Sequence, residues 1–173
     1  MYNISTVVKS GQKWSKVVKN TPILMKGDEI VAGSSLMGTF SHNIDAKGRM
    51  NFPTKLRESL GDSFIVTRGL DGCLFVYSQY EWSALEDKIR SMPLSKGKNI
   101  QRFFFSNAAE VEADKQGRIL IPAHLREYAG LTKDVMVIGA VNRAEIWDKA
   151  KWDELNSSFS EEMLTEAMDE LGF

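Results

Sequence analysis

Between Thr39 and Trp152 the apolar positions fall mostly in short extended runs bounded by Gly and Pro, and helical spacing appears in only a few stretches. An extended segment from Thr39 to Ile44 leads into a tight Asp-x-x-Gly turn at Asp45 to Gly48, where Gly can take φ > 0 without steric penalty. A second strand, Arg49 to Phe52, ends at Pro53, which lacks a ladder donor and suits a first helical turn. The short helix that follows turns Leu56 inward and stops near Gly61, and two further strands form a hairpin around Gly69 to Gly72. From Tyr80 to Met92, Leu85 and Ile89 lie four apart with Trp82 on the same side, an amphipathic helix.

The same order then repeats. Asp45 to Glu58 aligns with Asp114 to Glu127 at an offset of 69, and seven of the fourteen positions are identical. With small length adjustments the match runs on through Phe64 to Thr67 against Val135 to Ile138, Val76 and Tyr77 against Ile146 and Trp147, and Trp82 against Trp152. The second copy thus predicts an extended segment at Ala109 to Ala113, a turn at Asp114 to Gly117, a strand at Arg118 to Ile121 ended by Pro122, a helix ending near Gly130, and a hairpin around Asn142 and Arg143. Between the copies, Pro93 to Gly97 reads as a loop. Asn99 to Asn107 reads as a helix whose Phe103, Phe104 and Phe105 cannot share one narrow stripe and so must be buried between layers or subunits. Beyond the second copy, Trp152, Leu155, Phe159, Met163 and Ala167 recur at near-helical intervals among carboxylates, the pattern of an acidic surface helix, an assembly surface or a regulatory tail.

Residues 1–35 have no counterpart in either repeat; they read as an extension, with disorder as one reading of it and with Gly33, Ser34 and Ser35 as a linker. The domain reading is therefore an extension at 1–35, a first unit at 39–82, a helical connector at 83–108, a second unit at 109–152 and an acidic helix or tail at 153–173.

Composition narrows the function. A chain of 173 residues with 43% hydrophobic content can bury a core, and its longest apolar stretch, Val135 to Val141, is far short of the roughly 20 residues a membrane helix needs. No cleavable leader follows the early lysines Lys9, Lys13, Lys16 and Lys19, so a cytoplasmic protein is expected. A lone Cys73 excludes an internal disulfide framework and reads as a small buried hydrophobe. His42 and His124 lack metal-ligand spacing, and no phosphate loop, nucleophile elbow or zinc-protease motif is present. No metal, cofactor or enzymatic activity is expected.

With a net charge of -1, any surface for an anionic polymer must be local. Lys47, Arg49, Lys55 and Arg57 form one basic cluster, and Lys115, Arg118, His124 and Arg126 the other. A short Asp at the start of a turn accepts backbone N–H bonds and fixes the loop, so Asp45, Gly48, Asp114 and Gly117 are assigned to loop shape. Lys47, Arg49, Lys115 and Arg118 are the candidate DNA contacts, the alternative being that both Asp-Arg pairs only hold a turn together: the planar Arg fork suits guanine edges or closely held phosphate, and Lys47 suits phosphate. Lys55, Arg57 and Arg126 are read either as further DNA contacts or as structural groups, the two arginines preceding Glu58 and Glu127.

Several stretches resemble one family. Met37-Gly-Thr-Phe, Asn43-Ile-Asp-Ala-Lys-Gly-Arg49, Asp114-Lys-Gln-Gly-Arg118, Ala129-Gly-Leu-Thr-Lys-Asp-Val-Met136 and Ala144-Glu-Ile-Trp-Asp148 are similar to the MraZ family of bacterial regulators, over about Leu36 to Phe159. The resemblance implies a mainly β fold with short helices (α+β), in which two tandem AbrB-like swapped-hairpin units form a pseudo-dimeric, β-barrel-like core. It places the family's two DxxxR elements on Asp45 to Arg49 and Asp114 to Arg118. It further implies a nucleoid-associated transcriptional regulator that assembles into a homo-oligomeric ring, binds double-stranded DNA at direct repeats in its own promoter region, and represses or modulates the division and cell-wall gene cluster. The alternative from another class is a ring-forming structural or interaction protein without specific DNA binding.

Overall fold

The computed structural model describes residues 35–172 and, ahead of them, the backbone of four short strands. These strands are β1 (Thr6–Ser10), β2 (Lys13–Val18), β3 (Thr21–Lys26) and β4 (Glu29–Ala32), paired antiparallel in the order β1-β2-β3-β4. The chain divides after Ser35, so that both repeats belong to a second unit beginning at Leu36. Gly33 and Ser34, read from sequence as a linker, lie outside the described residues.

In the second unit, the first repeat supplies β5 (Leu36–Asn43), β6 (Arg49–Asn51), α1 (Thr54–Leu60), β7 (Ser63–Arg68), β8 (Leu74–Ser78) and α2 (Gln79–Arg90). After α3 (Leu94–Phe105), the second repeat supplies β9 (Ala109–Glu112), β10 (Arg118–Leu120), α4 (Ala123–Ala129), β11 (Asp134–Val141), β12 (Arg143–Asp148) and α5 (Lys149–Ser158), followed by α6 (Glu161–Leu171).

Each repeat keeps its own hairpin, β7 with β8 and β11 with β12, but its other strands pair across to the other repeat. Six of the strands form one antiparallel sheet in the order β5-β11-β12-β8-β7-β9, so the first strand of each repeat lies against the hairpin of the other. The two hairpins meet at the centre, where Glu145 faces Phe75. The remaining strands, β6 and β10, pair only with each other as a two-stranded ribbon centred on Met50 and Ile119. Both pairings are unchanged when the repeats are exchanged, which gives the unit an internal two-fold arrangement.

This arrangement corrects the expected fold. The sheet is open: β5 and β9 are its edges and no strand pair joins them into a barrel. The cause lies in the Asp-x-x-Gly turns, which carry the chain out of the sheet, so that the strands after them form a separate ribbon, with a bridge from Ile44 to Met50 just beyond the end of β5. Nor are the helices uniformly short, since α2 and α3 each run 12 residues and α6 runs 11. The unit is a mixed α/β fold of two interlocked sheet and helix modules.

Period-2 alternation separates two cores. In β8, Leu74 and Val76 face a core shared with Met50, Phe64, Leu56, Ile119, Leu125 and Ile146. Phe75 and Tyr77 face the opposite side, with Cys73, Trp147 and the half-buried Trp82, Phe104 and Trp152. Both faces of the central strands are therefore covered, which is why β8 reads as a continuous apolar run rather than an alternating one. Burying each of these large side chains contributes about 1.5–3 kcal/mol. Cys73 is fully buried, and burial pushes its thiol pKa up.

Two local expectations change. Pro93 to Gly97 is not a loop: Pro93, at φ -55° and so close to Pro53 at -54° before α1, sits at the N-cap, and α3 begins at Leu94. The acidic C-terminal stretch is two helices, because Phe159 is extended and Ser160 caps a fresh start by accepting from Met163 N.

Candidate nucleic-acid interface

Each Asp-x-x-Gly turn is held by one carboxylate. Asp45 Oδ1 accepts from Lys47 N and Arg49 N, both at 2.9 Å, while Oδ2 accepts from Arg49 Nε at 2.8 Å and Nη2 at 2.7 Å. The backbone closes the same turn through Gly48 N to Asp45 O at 2.9 Å and Asp45 N to Arg49 O at 2.8 Å. Asp114 repeats this: Oδ1 accepts from Gln116 N and Arg118 N, both at 2.9 Å, and Oδ2 from Arg118 Nε at 2.9 Å and Nη2 at 2.8 Å. Gly48 and Gly117 take φ of 81° and 76°, a region that other residues enter only with strain.

The Arg49 side-chain hydrogen bond, with backbone donors behind it, holds the Asp45 carboxyl at about 2. At Asp114 the Arg118 backbone N–H leads, with the Arg118 side chain next, and the shift is in the same direction. Both carboxyls are thus ionised at neutral pH, and each fixes its arginine in one orientation. Arg49 and Arg118 are 35% and 33% exposed, so these pairs add little stability; their consequence is positional. Each guanidinium spends two of its five N–H groups on the carboxylate, which leaves three for another acceptor.

The ribbon brings the two turns together. Besides the β6 and β10 pairing, Phe52 N donates to Gly117 O at 3.1 Å and Ile121 N to Gly48 O at 3.0 Å. Four residue steps, about 14 Å, separate the turns along the ribbon, and Arg49 and Arg118 lie closer, about 8 Å apart at Cα. Met50 and Ile119 are buried, so Arg49 and Arg118 stand on the outward face. Lys47 and Lys115 are exposed and make no ion pair among the described residues.

The other basic residues separate. Lys55 is exposed on α1. Arg57 and Arg126 are half-buried, each resting on the glycine of the opposite turn: a Cβ on Gly48 would lie 2.7 Å from Arg126 Nε, and one on Gly117 would lie 2.3 Å from Arg57 Nη1. Arg126 Nε donates to Ile121 O at 3.1 Å. Among the described residues neither arginine pairs with Glu58 or Glu127. His124 is exposed, with Nε2 3.5 Å from Asn107 O, and His42 is half-buried, its pKa lowered by burial. No group of three or more His, Cys, Asp or Glu among the described residues could hold a metal. Asn51 and Leu120 share the outward ribbon face with the arginines. Alternation within Arg-Met-Asn and Arg-Ile-Leu was the sequence signal for them.

Fold and site together define a duplicated α/β protein with two carboxylate-pinned arginine turns on one ribbon. A family model described as "MraZ protein, putative antitoxin-like" matches residues 35–101 and 104–171. A protein of Acetivibrio thermocellus named transcriptional regulator MraZ is 55% identical over 140 residues, covering 78% of this chain and 97% of the relative. Proteins of the same name from Heliobacterium modesticaldum and Clostridium beijerinckii are 56% and 49% identical, covering 69% and 79% of this chain and 85% and 98% of those relatives. The chain belongs to the MraZ family.

Proposed function

We propose that this protein is a sequence-specific, DNA-binding transcriptional regulator whose DNA-facing surface is the β6 and β10 ribbon with its two flanking turns. The observation that carries the reading is the pair of arginines, each fixed by its own carboxylate on one outward face, with an unpaired lysine beside each. Relatives named as transcriptional regulators, matching nearly their whole length, support it. A two-stranded ribbon fits the major groove of B-DNA, about 12 Å wide, and the spacing of Arg49 and Arg118 falls inside that width. In this reading Lys47 and Lys115 contact phosphate, Arg49 and Arg118 contact base edges or closely held phosphate, and Asp45, Gly48, Asp114 and Gly117 shape the turns. Arg57 and Arg126 act by bracing the turns, and Lys55 adds a peripheral charge.

The finer parts of the proposal follow from family membership: direct repeats in the protein's own promoter region as target, modulation of the division and cell-wall gene cluster as outcome, and a homo-oligomeric ring as the working form in a nucleoid-associated cytoplasmic protein. A ring is consistent with a net charge of -1, because repeating a small basic face lets weak contacts act together on tandem sites. Among the described residues no helix is long and apolar enough to cross a membrane.

The test is binding of the full chain to DNA upstream of its own gene and to a scrambled duplex, across a salt series, with the Arg49→Ala plus Arg118→Ala variant alongside. Selective binding that weakens with salt and is lost in a variant of unchanged assembly state supports the proposal. Equal or absent binding to both duplexes refutes it and favours a structural role for the assembly.

A further inference from the structure

Around the ribbon the two repeats match in the hydrogen-bonded geometry of the turns, though not in their middle residues (Ala46 and Lys47 against Lys115 and Gln116), and in the pinned arginines, the buried Met50 and Ile119, and the seats of Arg57 and Arg126. On its outward face they diverge. At the position two residues beyond the pinned arginine, the first repeat has Asn51 and the second has Leu120. The register sets Asn51 across from Arg118 and Leu120 across from Arg49. Directly opposed side chains on one face of an antiparallel pair have Cβ atoms about 4.5–5.5 Å apart, so the face consists of two adjoining pairs of different chemistry. Asn51 is exposed, and its amide makes no hydrogen bond among the described residues. Leu120 is 57% exposed although the core lies one residue away on either side, at Ile119 and Ile121.

We infer that Asn51 and Leu120 are base-reading residues that give the ribbon a direction on the duplex. The inference rests on the DNA-binding reading above and deepens it. Asparagine offers a donor and an acceptor side by side, the complement of adenine N6 and N7 in the major groove, whereas a leucine side chain fits against the thymine methyl group. Arginine, the partner of each, matches guanine O6 and N7. A two-fold face carrying only Arg49 and Arg118 presents the same groups to a duplex turned end for end. With Asn51 on one strand and Leu120 on the other, the two orientations differ by one hydrogen-bonding group against one apolar group. The bound orientation of each chain is then set by sequence.

The experiment is selection of the full chain against a library of random duplexes, with sequencing of the bound fraction. It uses the wild type, Asn51→Leu, Asn51→Ala, Leu120→Asn and Arg49→Ala, each first matched for folding by circular dichroism; all three positions have exposed or half-exposed side chains. The wild type should enrich a non-palindromic motif. Asn51→Leu, which makes the two outward ribbon positions identical while the turn residues Ala46 and Lys47 still differ from Lys115 and Gln116, should shift the motif towards a palindrome and weaken preference at one base pair by about 10- to 100-fold. Asn51→Ala should lose the same preference without gaining symmetry, while binding to unselected DNA stays within about twofold because phosphate contacts are untouched. A wild-type motif that survives unchanged in both Asn51 variants and in Leu120→Asn, yet is lost in Arg49→Ala, overturns this inference and leaves the DNA-binding proposal standing. A wild type that enriches no motif overturns both.

Discussion

Gly48→Ala tests whether the two repeats brace each other's turns. Gly48 has φ of 81°, and an added Cβ would lie 2.7 Å from Arg126 Nε and 2.8 Å from its Cζ. The guanidinium is not free to yield, because its Nε donates to Ile121 O, and Ile121 N in turn donates to Gly48 O. Two costs follow. Holding an L-residue in the left-handed region costs about 1–2 kcal/mol. Displacing Arg126 from its carbonyl partner costs about 1 kcal/mol more. The expected loss is about 2–3 kcal/mol in urea unfolding of the full chain, followed by tryptophan fluorescence.

The decisive comparison is the same substitution in an Arg126→Ala background. There the three atoms nearest the new methyl group are gone, the backbone strain remains, and the penalty should fall to about 1–2 kcal/mol, a coupling of about 1 kcal/mol between residues from different repeats. Penalties that agree within about 0.3 kcal/mol in the two backgrounds would refute the bracing, since uncoupled sites add to within that margin. Arg126 would then have to be understood without reference to the turn.

Three further outcomes are expected. Gly139→Ala should loosen β5, because a Cβ there would lie 2.4 Å from Met37 N and 2.5 Å from its Cα, backbone atoms that cannot move aside; faster amide exchange along Leu36–Asn43 and a loss of about 1–3 kcal/mol are the readouts, and unchanged exchange would contradict the pairing. For pH, the Asp45 carboxyl is held at about 2 against an ordinary 3.8, so its contribution is fully present above about 3.8 and lost as pH falls towards 2. The Lys47 and Arg49 amides should therefore stay protected down to about pH 4 and lose protection below it, Asp45→Asn should be insensitive over this window, and loss already at pH 6 would count against the carboxylate lock. Finally, Lys47→Ala and Lys115→Ala should each lower the slope of log affinity against log salt by about 0.9, whereas an unchanged slope would remove these lysines from the phosphate contacts.

Much of the site was legible because its chemistry is local. An Asp, a Gly and an Arg within five residues suffice to predict a side-chain-closed turn, and the second copy at an offset of 69 repeats the same instruction. Strand partners were not legible. Alternation states which face a residue takes, but not which strand lies beside it, and here β5 pairs with β11 and β9 with β7 across the repeats. The barrel expectation failed at that point, since closure depends on what the edge strands meet. Pro93 misled in another way: a Pro followed by Ser and Gly reads as a loop, yet proline at a helix start forfeits no hydrogen bond, and α3 continues from it. The three consecutive phenylalanines of α3 find three partners rather than one stripe, with ring centroids 6.3 Å from Tyr128 for Phe103, 6.3 Å from Phe75 for Phe104 and 4.6 Å from Trp82 for Phe105.

The repeats use arginine in two opposed ways, and the difference bears on how affinity and selectivity divide. Arg126 and Arg57 are turned inward onto glycines, where a missing side chain leaves room for a guanidinium. Arg49 and Arg118 are turned outward, each with its charge locally offset by a carboxylate. An arginine so compensated contributes little long-range attraction for a phosphate backbone, so under the proposed DNA-binding reading that role falls to Lys47 and Lys115, which make no ion pair among the described residues. What the carboxylate supplies is a side chain already ordered before binding, so less rotamer entropy is lost on contact. Salt should therefore act mainly through the lysines, while base preference should track the arginines and the residues beside them on the ribbon. Fusing two copies in one chain permits the last step: in a dimer of identical single-repeat chains, position 51 and its mate would be the same residue, whereas within one chain Asn51 and Leu120 can diverge while the turns that aim them stay alike.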